Sequence, residues 1–355
     1  MAGIGFELRK VVQKGSISSF FQIAVSGAMI VAGPWLMTIV TILLIQNFFS
    51  RYFTENIELF MGVIIYAYAF SLLIFGGSHY LITRRMSDLL YEKKERQAFG
   101  YVLIMFIPIV ITSAAIASPI AFSFNLDIEH DTLFKLSTII IFVSINCLWV
   151  IMLFVSVLKW YIKILSVYII GLSASLFLIL SLSKNYGVAG AALGFAAGQT
   201  IIVILLVMLC LIAWRPVKPD FFYKHKIKKG TNLLKTFNFI KKYRFLFFTG
   251  VFYYLGIWID KLIFWGGFGE TIPGTGFKIF EYYDIPVFSA NLTMIPGLIF
   301  FTIYTETEFY TILRRFLLII GKGLYTDIVE SKNKILNIVN LSLKEQSLLQ
   351  GIVSI

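Results

Sequence analysis

Seven stretches of this chain run for 20 or more residues without one Asp, Glu, Lys or Arg: Phe20–Ile45, Leu59–Ile82, Phe99–Phe124, Leu136–Leu158, Ile164–Ser183, Gly187–Trp214 and Ile285–Thr305. A hydrocarbon layer of about 30 Å needs roughly 20 apolar residues at about 1.5 Å per residue, so each stretch is long enough to cross it as a helix. An eighth, Phe245–Phe268, is interrupted by Asp260 and Lys261. Composition closes off the soluble alternative. Hydrophobic residues make up 58% of the chain and charged residues 14%, against about 45–50% and about 25% in ordinary globular domains. Too few polar residues remain to cover a water-facing surface. The expected fold is all-α: a polytopic transmembrane helix bundle of eight spans.

The formal net charge of +12 would suggest nucleic acid in a soluble protein. Here the basic residues sit in loops between spans, where they set topology and touch anionic membrane lipid, so no nucleic-acid partner is expected. With the N-terminus in the cytoplasm, segments 1–18, 83–98, 159–163, 215–244 and 305–355 lie inside. Of the 31 Lys and Arg residues, only Arg51, Lys135, Lys184, Lys261 and Lys278 then fall outside those segments. The acidic run Asp127-Ile128-Glu129-His130-Asp131 faces outward. Arg9, Lys10 and Lys14 precede an uncharged stretch from Gly15 to Ser50, too long for a signal-peptide core and without an A-x-A site, so it reads as a retained helix.

The chain divides at its basic segment. Residues 1–214 read as an N-terminal six-helix bundle and 215–244 as a basic cytoplasmic linker. Residues 245–308 read as the first two helices of a C-terminal bundle. Residues 309–355 read as a cytoplasmic helical segment ending at the start of a further span.

Chemistry-bearing motifs are sparse. No G-x-S-x-G, P-loop or H-E-x-x-H occurs, and Cys147, Cys210, His79, His130 and His225 are scattered, so no enzyme, cofactor or metal site is expected. Gly33-Pro34-Trp35 marks a kink in the first span: a bent helix lining a pathway with Trp35 as an aromatic contact, or an ordinary membrane kink. Gly190, Gly194 and Gly198 recur every four residues and make a smooth stripe suited to close helix packing. Asp260 and Lys261 lie roughly 22–24 Å along their helix from Phe245. They read as a polar contact in a translocation path, or as an interfacial pair with Lys261 snorkelling. Together with Glu281 and Asp284 and the aromatic neighbours Trp258, Trp265, Tyr282 and Tyr283, they make a mixture suited to a sliding carbohydrate.

Several segments together resemble one family: Met1-Ala2-Gly3-Ile4-Gly5-Phe6-Glu7-Leu8-Arg9-Lys10, Gly33-Pro34-Trp35, Trp258-Ile259-Asp260-Lys261-Leu262-Ile263-Phe264-Trp265, Tyr283-Asp284-Ile285-Pro286-Val287-Phe288-Ser289-Ala290, Ile295-Pro296-Gly297 and Glu306-Thr307-Glu308-Phe309. The chain resembles the Pel exopolysaccharide membrane transporter family (PelG), in the flippase superfamily of polysaccharide exporters and multidrug/toxin extruders. The resemblance implies two six-helix bundles around a cavity with alternating access in the bacterial inner membrane. It implies export of an amino-sugar polymer for biofilm matrix, beside a cytoplasmic glycosyltransferase and membrane subunits of a polysaccharide synthase complex. Against that pattern the chain reads as C-terminally truncated. A lipid-linked oligosaccharide flippase, a drug exporter and a non-transporting scaffold for a synthase are the alternative readings.

Overall fold

The computed structural model of the chain describes residues 56–92, 95–155, 158, 160–213, 239–304 and 308–354. The expected first span, with Gly33, Pro34 and Trp35, and most of the basic linker lie outside these residues. The described chain is helical almost throughout. Its helices are α1 (Ile57–Tyr91), α2 (Glu95–Phe122), α3 (Asp131–Val155), α4 (Tyr161–Ala213), α5 (Arg244–Phe268), α6 (Glu281–Thr293), α7 (Ile295–Tyr304), α8 (Tyr310–Lys322) and α9 (Tyr325–Ser354). A small hairpin, β1 (Glu270–Thr271) with β2 (Lys278–Ile279), lies between α5 and α6. Six stretches of described helix are long and apolar enough to cross a membrane. The protein is therefore a multi-pass membrane protein.

At 53 residues, α4 would be roughly 80 Å long if straight, far more than one bilayer crossing. It turns back on itself at Gly187, whose φ of 54° and ψ of −137° lie outside helical space. Such positive φ is cheap only for glycine. The two halves then zip together through the small-residue stripe. A Cβ on Gly190 would collide with the Leu182 carbonyl, one on Gly194 would lie 2.5 Å from the Ile179 nitrogen, and one on Gly198 would strike Ser175.

The described residues fall into two compact units. The larger holds α1, α2, α3, most of α4, α5 and the hairpin. In it α2 packs on α3, and α1 packs on α3 and on α5. Phe60, Ile64, Phe134, Ile141, Ile145 and Phe195 fill its core, with the rings of Phe60 and Phe195 edge to face at 6.1 Å. Lipid is as apolar as these side chains, so van der Waals fit and interhelical hydrogen bonds hold the bundle rather than water exclusion. Trp149 Nε1 donates to Ser71 Oγ at 3.0 Å, and Ser71 Oγ donates in turn to the Tyr68 carbonyl. Ser144 and Thr200 hydroxyls meet at 2.9 Å. Outward-facing Ile107 and Phe252, 64% and 65% exposed, would meet acyl chains.

In the smaller unit, α9 runs along both α7 and α8. Tyr304 OH donates to the Ile338 carbonyl at 2.7 Å, and Gln350 Nε2 donates to the Thr293 carbonyl at 3.1 Å. These two bonds set α7 and the C-terminal half of α9 antiparallel. Ser331 and Ser342 are the buried positions of α9, which lets the neighbouring helices approach closely. On its exposed side Lys334 Nζ reaches Glu330 at 2.5 Å, and that hydrogen bond holds the Glu330 carboxyl below its ordinary range.

Candidate functional site

The site begins where α1 and α5 cross. Gly76 and Gly77 of α1 meet Gly250 of α5 so closely that a Cβ on Gly250 would lie 2.8 Å from the Gly76 carbonyl oxygen. From this crossing α5 follows α1 towards the end of the bundle that carries the hairpin. Near that end the contact is aromatic. Trp265, 2% exposed, stacks on Tyr66 with ring centroids 4.9 Å apart. Phe277 stacks on Tyr66 at 4.0 Å, and Phe70 at 5.6 Å.

Tyr66 also ties down the hairpin. Its hydroxyl accepts from the Lys278 amide N–H and donates to the Lys278 carbonyl, each at 2.8 Å. The hairpin turns through Pro273 and Gly274, the glycine at φ 73°. The Gly274 carbonyl accepts from the Asn125 amide at 2.9 Å. This bond places the hairpin at the same end of the bundle as the loop that leads into the acidic run Asp127–Asp131. Ile272 inserts against Gly62, and a cavity of about 200 Å³ opens beside it, lined by Asn56, Ile57, Glu58, Leu59, Ile272 and Pro273.

Two turns back from Trp265, on the same face of α5, lies Trp258. The two indoles are 6.4 Å apart and tilted by 51°. Lys261 Nζ sits 5.2 Å from the Trp258 ring centroid, within reach of a cation–π contact. Trp258 Nε1 is buried with no hydrogen-bond partner among the described residues. An indole N–H ordinarily finds an acceptor when buried, and this one is left unsatisfied among the described residues. Asp260 and Lys261 are both partly buried, about 24 Å along α5 from Arg244.

The sequence-derived candidates thus separate. Trp258, Lys261 and Trp265 come together on one face of α5, with Asp260 adjacent in the helix. Trp265 is committed to packing under Tyr66, while the Trp258 donor is unsatisfied among the described residues. Glu281 is exposed at the start of α6, in the larger unit, and Asp284 belongs to the smaller one. Gly190, Gly194 and Gly198 lie in the seam of α4. Trp35, Gly33 and Pro34 are outside the described residues. The reading from sequence missed Tyr66 and the hairpin. The Pro-Gly pair at 273–274 was the available signal for the turn, but nothing near Tyr66 in sequence marks it as the hub of the stack. Among the described residues no cluster of His, Cys, Asp and Glu could hold a metal ion.

An aromatic face flanked by an ammonium group, a carboxylate and an unused indole N–H can stack on a sugar ring and exchange hydrogen bonds with its hydroxyl or amide groups. A family model described as "PelG: Putative exopolysaccharide Exporter (EPS-E)" matches the chain over residues 1–355. No curated protein and no solved structure matches it.

Proposed function

The chain belongs to the PelG family of exopolysaccharide exporters, and from that premise we propose that it moves an amino-sugar polymer outward across the bacterial inner membrane by alternating access. The observation that carries the proposal to particular residues is the Trp258–Lys261 pair on α5, beside Asp260 and close to the hairpin end of the bundle. A polymer passing that end would meet an aromatic ring to slide over, an ammonium group, a carboxylate and an indole donor. None of these grips one monomer tightly, which suits a substrate that must keep moving.

The orientation in this reading has the N-terminus inside, because the Lys and Arg residues concentrate in alternate loops. The hairpin, the Asp127–Asp131 run and the outer part of α5 then face outward, so Asp260 and Lys261 lie on the exit side together with Glu281. The basic segment 215–244 faces a cytoplasmic glycosyltransferase, and membrane subunits of a polysaccharide synthase complete the assembly. The bundle handles a finished polymer and needs no catalytic residue of its own. Replacing Trp258 with Ala or Lys261 with Met in cells that make the polymer tests the reading. Secretion should fall while the amount of the protein in the membrane stays the same, and undiminished secretion would remove these residues from the path.

A further inference from the structure

His79 is a titratable side chain inside the bundle that the sugar path does not use. It lies on α1 one turn beyond Gly76, 4% exposed, beside the glycine contact between α1 and α5. Its ring meets Tyr254 of α5 edge to face at 6.2 Å and 89°. Tyr254 in turn contacts Tyr253 at 5.2 Å, and Tyr253, 54% exposed, contacts Tyr80 at 6.2 Å. The His79 Nε2 atom is buried and has no hydrogen-bond partner among the described residues.

A neutral imidazole fits this place, although a phenylalanine would fill it without an unsatisfied nitrogen. An imidazolium does not fit. Protonation turns Nε2 into a charged donor that requires an acceptor, and among the described residues none lies within hydrogen-bond reach of it. The carboxylates of the elements packed around it are remote or engaged. Asp88 is held by Arg84 at 3.1 Å, Asp131 of α3 by Lys135 at 2.6 Å, and Asp260 stands roughly 9 Å further along α5 than Tyr254. The group that faces the ring is the phenol of Tyr254 from α5, and Tyr80 is the next residue on α1. Arg84 is one turn on, and Tyr101 is the tyrosine of α2. His79 is screened from solvent where Gly76, Gly77 and Gly250 hold the two backbones together, a Cβ on Gly77 already lying 2.7 Å from the Phe247 carbonyl oxygen. A charged His79 and a closed crossing therefore exclude one another.

We propose that His79 is a proton-binding site of this protein, and that proton uptake at Nε2 from the aqueous phase opens the α1–α5 crossing. The ligand is the proton itself. Its use, to draw on a proton gradient for export, rests on the function proposed above, but its test does not. The site uses opposite properties of the two partners: glycines that allow contact without side chains, and one imidazole whose charged form that contact cannot hold. Intramembrane ionisable groups are costly enough that one with no structural partner points to such a role.

The test is a distance between nitroxide labels at Tyr91→Cys on α1 and Phe252→Cys on α5, both positions being exposed. The full chain would be placed in lipid nanodiscs, with Cys147 and Cys210 replaced by Ala. Pulsed electron–electron double resonance should show the distance lengthening by several ångström between pH 8 and pH 4. In His79→Gln, whose neutral amide takes no proton, the short distance should persist at both values. The proposal is overturned if His79→Gln lengthens on acidification as the parent does, or if the parent distance is the same at both pH values. No polymer is involved, so failure of the export reading would leave this result untouched, and failure here would leave export standing without a proton at His79.

Discussion

Gly194 lies against the backbone of Ile179, where one added carbon would come within 2.5 Å of the Ile179 nitrogen. Both residues belong to α4, one on each side of the turn at Gly187, and the obstacle is main chain that cannot rotate away. Gly194→Leu should lower the midpoint of thermal unfolding in detergent and reduce the yield of monodisperse protein, at a cost of about 1–3 kcal/mol or more. Gly256 supplies the control. Nothing lies within 4 Å of a Cβ built there, so Gly256→Ala should be neutral, or stabilising by up to about 1 kcal/mol through helix propensity. Equal effects at both positions would mean that the α4 seam is not closely packed.

The Tyr66 hydroxyl should matter apart from its ring. Tyr66→Phe keeps the stack on Trp265 and Phe277 but removes both bonds to the Lys278 backbone. A loss of about 1–2 kcal/mol is expected for the unsatisfied hairpin groups. Limited proteolysis should then cut faster between Gly269 and Phe280. Tyr66→Ala should cost more, about 3–5 kcal/mol, by emptying the stack as well. If Tyr66→Phe leaves the cleavage rate unchanged, the hairpin is held by other contacts.

The membrane bundle was legible in the sequence because lipid leaves a direct trace: long runs without charge. The turn at Gly187 and the glycine stripe after it were also written locally, as small residues one helical turn apart. Other features were not. Trp258 and Trp265 share one face of α5 at seven-residue spacing, and periodicity alone cannot say which lies buried under Tyr66 and which keeps a donor unused. That difference comes from Tyr66 and Phe277, which are distant from each other in sequence. The two-residue strands are too short for any alternation of polar and apolar residues. His79 looked like an isolated histidine because its ring partner, Tyr254, belongs to a helix more than 150 residues later in the chain.

Orientation gives a third prediction. With the basic loops inside, a cysteine at Lys226 should resist an impermeant thiol reagent applied to intact cells, and one at Glu129 should react. Both would be made in a background without Cys147 and Cys210. Modification at 226 from outside would invert the topology and place the hairpin and the Asp127–Asp131 run in the cytoplasm.

Export is the central claim, and one measurement addresses it most directly. In cells that synthesise the polymer, the parental chain would be replaced by one carrying Asp260→Asn and Lys261→Met, with equal amounts verified in the membrane. Secreted and cell-retained polysaccharide would then be quantified together. The account predicts secretion reduced by on the order of tenfold, equivalent to about 1.4 kcal/mol on the rate-limiting step, with the missing polymer retained by the cell. Secretion at the parental level with matched protein would contradict it, and would leave α5 a structural helix with no part in the path.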